Sequence, residues 1–163
     1  MIRWAFESAR RRHSISWQPH HEAHSTLSNM QKRHILIVDE DQNTLRSMKF
    51  VLEAANYRVT AAADSQEALE KIAWARNSCC PVELLISDIQ MPGLKGLELI
   101  GELNRHNIDL PTLVISAYSN QELQVELVRL GYDNLLIKPF DEEALVGRVT
   151  ELLEQKNQQQ KIN

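Results

Sequence analysis

From residue 34 onward, short apolar runs alternate with longer segments whose apolar residues recur at helical spacing. Residues 35–38 (ILIV) are continuously apolar and largely β-branched, the pattern of a strand buried on both faces. Residues 42–55 then place Leu45, Met48, Val51 and Leu52 on one helical stripe. A weaker strand is predicted over 58–62. Asp64 with Glu67 three residues later has capping-box spacing, and Ala68, Leu69 and Ile72 continue it as a helix on which Trp74 is expected to pack. Residues 84–86, 113–115 and 135–137 read as three further buried strands. Helices are predicted over 95–106, from Ser119 and Glu122 to a stop at Gly131, and from Asp141 to about Gln155, with 158–163 fraying.

Five strands, each followed by a helix, predict an α/β fold: a five-stranded parallel sheet flanked by helices on both faces. Ligands of such sheets bind outside the carboxyl ends of the strands. The residues there are Asp39, Glu40 and Asp41 after the first strand, Ser87 and Asp88 after the third, Ser116 after the fourth and Lys138 after the fifth. No Gly-rich loop follows the first strand, which disfavours dinucleotide binding. No Ser or Cys elbow and no strand-end His is present to build a triad.

Clustered carboxylates repel one another unless a cation joins them, and Mg²⁺ takes such hard oxygens together with water. A carboxylate is also a nucleophile toward phosphorus. Phosphoryl transfer asks mainly for neutralisation of the phosphoryl oxygens. Mg²⁺ on Asp39, Glu40 and Asp88, the ammonium of Lys138 and the hydroxyl of Ser116 are the groups available for that. Asp39 and Glu40 also suit a helix N-terminus, although Asp41 suits the cap better.

The stretches ILIVDED (35–41), LLISDIQMPGLKGLELI (84–100), TLVISAY (112–118) and NLLIKPF (134–140), in this order, resemble the receiver domain of bacterial two-component response regulators over about residues 33–155. The resemblance implies a flavodoxin-like strand order 2-1-3-4-5. It implies Asp88 as phosphoacceptor, Asp39 and Glu40 as the acidic pair that helps bind Mg²⁺, and Gln90 as a backbone-carbonyl ligand of the metal. Ser116 matches the switch hydroxyl, and the N–H of Ala117 a phosphoryl contact. Lys138 matches the family lysine, followed by Pro139 across a bond that is often cis. Leu135 departs from the family, which frequently has an aromatic residue there, so the usual hydroxyl–aromatic coupling is expected to change. Gln90 and Tyr118 match the positions that flank water's approach to an aspartyl phosphate.

The expected function is that of a single-domain response regulator rather than an enzyme. It would accept a phosphoryl group from a histidine kinase or histidine phosphotransfer protein and signal to a downstream protein target. Two rivals stand beside it. ILIVDEDQ also reads as the D-x-D of a haloacid-dehalogenase-like phosphatase with Asp39 as nucleophile, but no further acid pair follows the lysine. A receiver-like module that binds partners without phosphorylation is the other.

Composition sharpens the picture in four ways. At 163 residues, 43% hydrophobic and 25% charged, the chain has material for a core but no run of about 18 apolar residues to span a membrane. Cys79 and Cys80 are neighbours and cannot easily bridge one another, so a reducing, cytoplasmic setting is expected and the thiols are expected to be inert. Residues 1–33 carry six basic and two acidic side chains, a balance of +4, whereas 34–163 carry 12 basic and 20 acidic, a balance of −8. That acidity speaks against direct nucleic-acid binding. Residues 1–32 form a basic extension, expected to be disordered or not native, with translation starting at Met30 as one reading and a short amphipathic helix through Ile2, Ala5, Phe6 and Ala9 as another. Its His13, His20, His21 and His24 lack Cys or carboxylate partners at ligand spacing. A polar tail is expected over 156–163, and Gly93 and Gly96 are expected to serve a turn and close packing.

Overall fold

Strands β1 (His34–Val38), β2 (Arg58–Ala62), β3 (Leu84–Asp88), β4 (Thr112–Ser116) and β5 (Leu135–Ile137) make one parallel sheet in the order β2-β1-β3-β4-β5. The computed structural model describes residues 32–89, 96–117 and 121–162; the expectations for residues 1–31, Gln90, Gly93 and Tyr118 lie outside these. Helices α1 (Gln42–Ala54), α2 (Ser65–Arg76), α3 (Gly96–Arg105), α4 (Gln121–Leu130) and α5 (Glu142–Ile162) connect and follow the strands.

The continuous apolar run of β1 has a simple cause. Ile35 and Ile37 pack with Leu45, Met48 and Leu52 of α1 and with Leu145, Val149 and Leu152 of α5. Leu36 and Val38 point the other way, onto Leu69 and Ile72 of α2 and Leu99 and Leu103 of α3. Both faces of the strand are therefore covered, and alternation has no polar side to serve. A third cluster joins Ile100 of α3, Val114 of β4 and Leu127 of α4. Each fully buried Leu or Ile contributes about 1.5–3 kcal/mol of transfer free energy, so these three clusters hold the sheet between its helices.

Helix starts follow side-chain chemistry. Asp41 accepts the N–H of Asn43 at 2.9 Å and caps α1, and Asp141 accepts that of Ala144 at 2.7 Å ahead of α5. Asp64 accepts the N–H of Glu67, whose carboxylate in turn takes the N–H of Ala63. The reciprocal pair thus lands one residue before the cap itself. Gly131, at φ +87, follows α4 in a conformation that favours glycine.

Two expectations are corrected. Helix α5 runs to Ile162 rather than to about Gln155. The Gln and Lys residues there are good helix formers, and Lys156 also reaches the Asp109 carbonyl at 3.3 Å. Trp74 does not pack: it is 67% exposed, because Ala68, Leu69, Ile72 and Ala75 already supply the buried face of α2.

Candidate functional site

The sheet register aligns the residues that end its strands. Val38 pairs with Ser87, so Asp39 and Asp88 occupy the next rung of the neighbouring strands β1 and β3. Asp88 pairs with Ile115, and Ser116 with Ile137, which places the serine and Lys138 on the following rungs. The Lys138 N–H donates to the Ser116 carbonyl at 2.8 Å, continuing the β4–β5 ladder past its last strand residue. The Lys138–Pro139 peptide is cis.

Lys138 bridges the two acids. Its Nζ donates to Asp88 Oδ2 at 2.6 Å and to Asp39 Oδ2 at 3.0 Å. Asp39 is 1% exposed and Asp88 7%, whereas Glu40 is exposed at the rim. Asp39 is also fixed from its own loop, because Oδ1 accepts the N–H of Asp41 at 2.8 Å. Burial pushes the Asp39 carboxyl above the usual carboxylate range. The Asp41 N–H and Lys138 oppose that rise, and the charge of Asp88 adds to it. For Lys138, burial acts downward, but hydrogen bonds to Asp88 and Asp39 outweigh it and the ammonium is held above its ordinary value.

Ser116 is fully buried at the end of β4, and Ala117 is exposed beyond it. Leu135 lies half-buried against the cluster of Ile100, Val114 and Leu127. An aliphatic side chain thus takes the position beside β4 where the resemblance led one to look for an aromatic ring.

Gly96 contributes in a way that residue type alone did not reveal. A Cβ there would collide with the carbonyl oxygen of Asp88 and stand 2.8 Å from Cα of Ile89. Helix α3 therefore begins directly against the backbone that carries Asp88. The spacing of Gly93 and Gly96 after the acid was the available signal, though it did not say which glycine makes the contact.

The donor set suits a small hard cation. Two carboxylates stand nearly dry on adjacent strand ends, repel each other, and are already joined by one cationic group. Among the described residues no three His, Cys, Asp or Glu side chains form a metal-holding group. A divalent ion would thus rest on Asp39 and Asp88, with Glu40 at the rim and water in the remaining positions, as Mg²⁺ usually does.

Comparison with known proteins agrees with this geometry. The chain is 30% identical over 124 residues to the transcriptional regulatory protein FixJ of Bradyrhizobium diazoefficiens, covering 76% of this chain and 58% of that protein. It is 28% identical over 120 residues to the response regulator SaeR of Staphylococcus aureus, covering 74% of this chain and 50% of that protein. The chain therefore spans about half the length of these curated relatives. A CheY-like receiver domain protein of Methanospirillum hungatei superposes with a TM-score of 0.71 at 29% identity, covering 79% of this chain and 99% of that one. The family model for the response regulator receiver domain matches residues 35–150. Strand order, strand-end acids and lysine, and this match lead to one conclusion: the chain belongs to the response regulator receiver domain family.

Proposed function

We propose that Asp88 accepts a phosphoryl group from a phosphohistidine on a kinase or phosphotransfer protein. The observation that carries this reading is the Lys138 bridge between Asp88 and Asp39. A carboxylate oxygen of Asp88 attacks phosphorus in line, the N–P bond of the donor breaks, and the donor histidine recovers a proton. Lys138 can leave the Asp88 carboxylate for a phosphoryl oxygen while remaining paired with Asp39. The Ser116 hydroxyl is one rung away and supplies a further hydrogen bond. Asp39, with Asp88 and the rim carboxylate of Glu40, would hold Mg²⁺, which when bound neutralises charge on the transferring group.

The change is read by a protein partner. On the face of α4, β5 and α5, Val125 and Val128 of α4 are 62% and 66% exposed and Ile137 of β5 is 36% exposed. Ile137 immediately precedes Lys138 in the chain. The −8 balance of residues 34–163 favours protein over nucleic-acid contacts, and no helix of the described residues is long and apolar enough to cross a membrane. A cytoplasmic two-component pathway is the setting that fits.

Acetyl phosphate with Mg²⁺, followed by intact mass, tests the reading. The parent chain should gain one phosphoryl group and Asp88→Asn none. Equal labelling of the Asn variant would place the acceptor elsewhere. No labelling of the parent would favour the phosphorylation-independent module.

A further inference from the structure

Cys79 and Cys80 lie in the loop of residues 77–83, at the opposite end of the sheet from Asp88. Their Sγ atoms are 3.5 Å apart. Cys79 is exposed and Cys80 half-buried. The turn that presents them is well tied. Ser78 Oγ donates to the Ala75 carbonyl at 2.8 Å and accepts the Cys80 N–H at 3.1 Å. The Cys80 carbonyl is held by Nδ1 of His34 at 3.0 Å, and Nε2 of the same ring meets Thr60 Oγ1 at 2.8 Å. A carbonyl only accepts, so Nδ1 carries the proton and Nε2 accepts from the threonine hydroxyl. Burial lowers the His34 pKa and keeps this neutral tautomer in place.

We propose that the pair is a dithiol site for a trivalent arsenical. Three observations select this class. First, one atom bound to both sulfurs at about 2.3 Å, an ordinary thiolate bond length to a soft centre, would subtend roughly 100° across the 3.5 Å gap. That is the angle of a pyramidal or tetrahedral centre. Second, a disulfide is poorly served. Neighbouring Cα atoms are about 3.8 Å apart, below the roughly 4.4 Å at which disulfides begin. Third, the described residues offer no third His, Cys, Asp or Glu here, as a resident divalent ion would require. An arsenical brings its own third substituent.

The reaction with an organoarsenic oxide balances without electron transfer. Two S–H bonds and the arsenic–oxygen bond break, two As–S bonds form, and the oxygen leaves as water. Cys79, the more exposed, bonds first; Cys80 closes the chelate. The thiol of Cys80 sits above its ordinary pKa chiefly through its hydrogen bond with Cys79, with the Arg58 guanidinium opposing.

Titration of the full chain with phenylarsine oxide, read by intact mass and free-thiol count, tests the site. One phenylarsenic group per chain and the loss of both thiols are expected, reversed by a competing dithiol but not by a monothiol. Cys79→Ser and Cys80→Ser should each weaken binding at least about a hundredfold, because the second bond is then lost. Undiminished binding by either variant would overturn the proposal. So would the loss of two thiols with a mass two hydrogens lower and no arsenic, which would make the pair a disulfide.

Discussion

Replacing Lys138 by Met keeps the stem and removes the ammonium that joins Asp39 to Asp88. At 2.6 and 3.0 Å and an effective dielectric constant of about 20, each contact carries roughly 5–6 kcal/mol of gross Coulomb attraction. Most of that is cancelled by desolvation, and the Lys138 side chain is 28% exposed. A net loss of about 2 kcal/mol at neutral pH without divalent ions is the expected result. With a urea slope of roughly 1.5–2 kcal/mol/M, the midpoint should fall by about 1 M. The pH dependence follows from the directions of the two shifts. Asp39 is already raised in the folded state and rises further once the ammonium is gone. A raised acid costs stability as pH climbs from its ordinary value near 3.8 through the folded value. In the parent, Lys138 is raised, so its contribution is present at neutral pH and is lost as pH rises above 10.5. The gap between variant and parent should therefore be small near pH 4 and complete near pH 8. Coincident urea midpoints at pH 8, or a gap that widens toward pH 4, would refute the reasoning.

Gly96→Ala should cost about 1–3 kcal/mol by overpacking against the Asp88 carbonyl, and it should slow labelling by acetyl phosphate as well; an unchanged melting curve would contradict the contact. Asp64→Ala removes the cap of α2 and should lower stability by about 1 kcal/mol, measured by urea unfolding. A chain begun at Met30 should unfold with the parent's midpoint and cooperativity, since the family match covers 35–150; loss of cooperativity would mean that residues 1–29 pack on the body.

The strand-end residues of β1, β3, β4 and β5 were legible because each of these strands is a short apolar run closed by a polar residue, whereas the strand order was implied by the resemblance to the receiver family and not by the runs themselves. β1 is the clearest case, with every side chain buried and an acid immediately after. What escaped was set by tertiary geometry. The exposure of Trp74 depends on how little of α2 the sheet needs, which helical spacing does not state. The choice of Gly96 as the contact depends on how closely α3 approaches β3. The split between a buried Asp39 and an exposed Glu40 follows from the chain turning toward α1 after β1, and two adjacent acids in a sequence look alike. The helical continuation to Ile162 was obscured by polarity, since a solvated helix lacks the apolar stripe that marks the others.

The sheet also implies a gradient of amide protection. β1 is fully buried and paired on both sides, so its N–H groups should exchange with solvent deuterium only through global opening. β5 has three residues, pairs with β4 alone and is covered on neither face to the same depth, so it should open locally at far lower cost. Lys138, immediately after β5, is tied to the acid immediately after β1. The most easily opened strand is thus moored to the most rigid one through a single side chain. Lys138→Met, which removes the ammonium from Asp39, would release the mooring, and deuterium uptake along 135–137 would report it while β1 stayed dark.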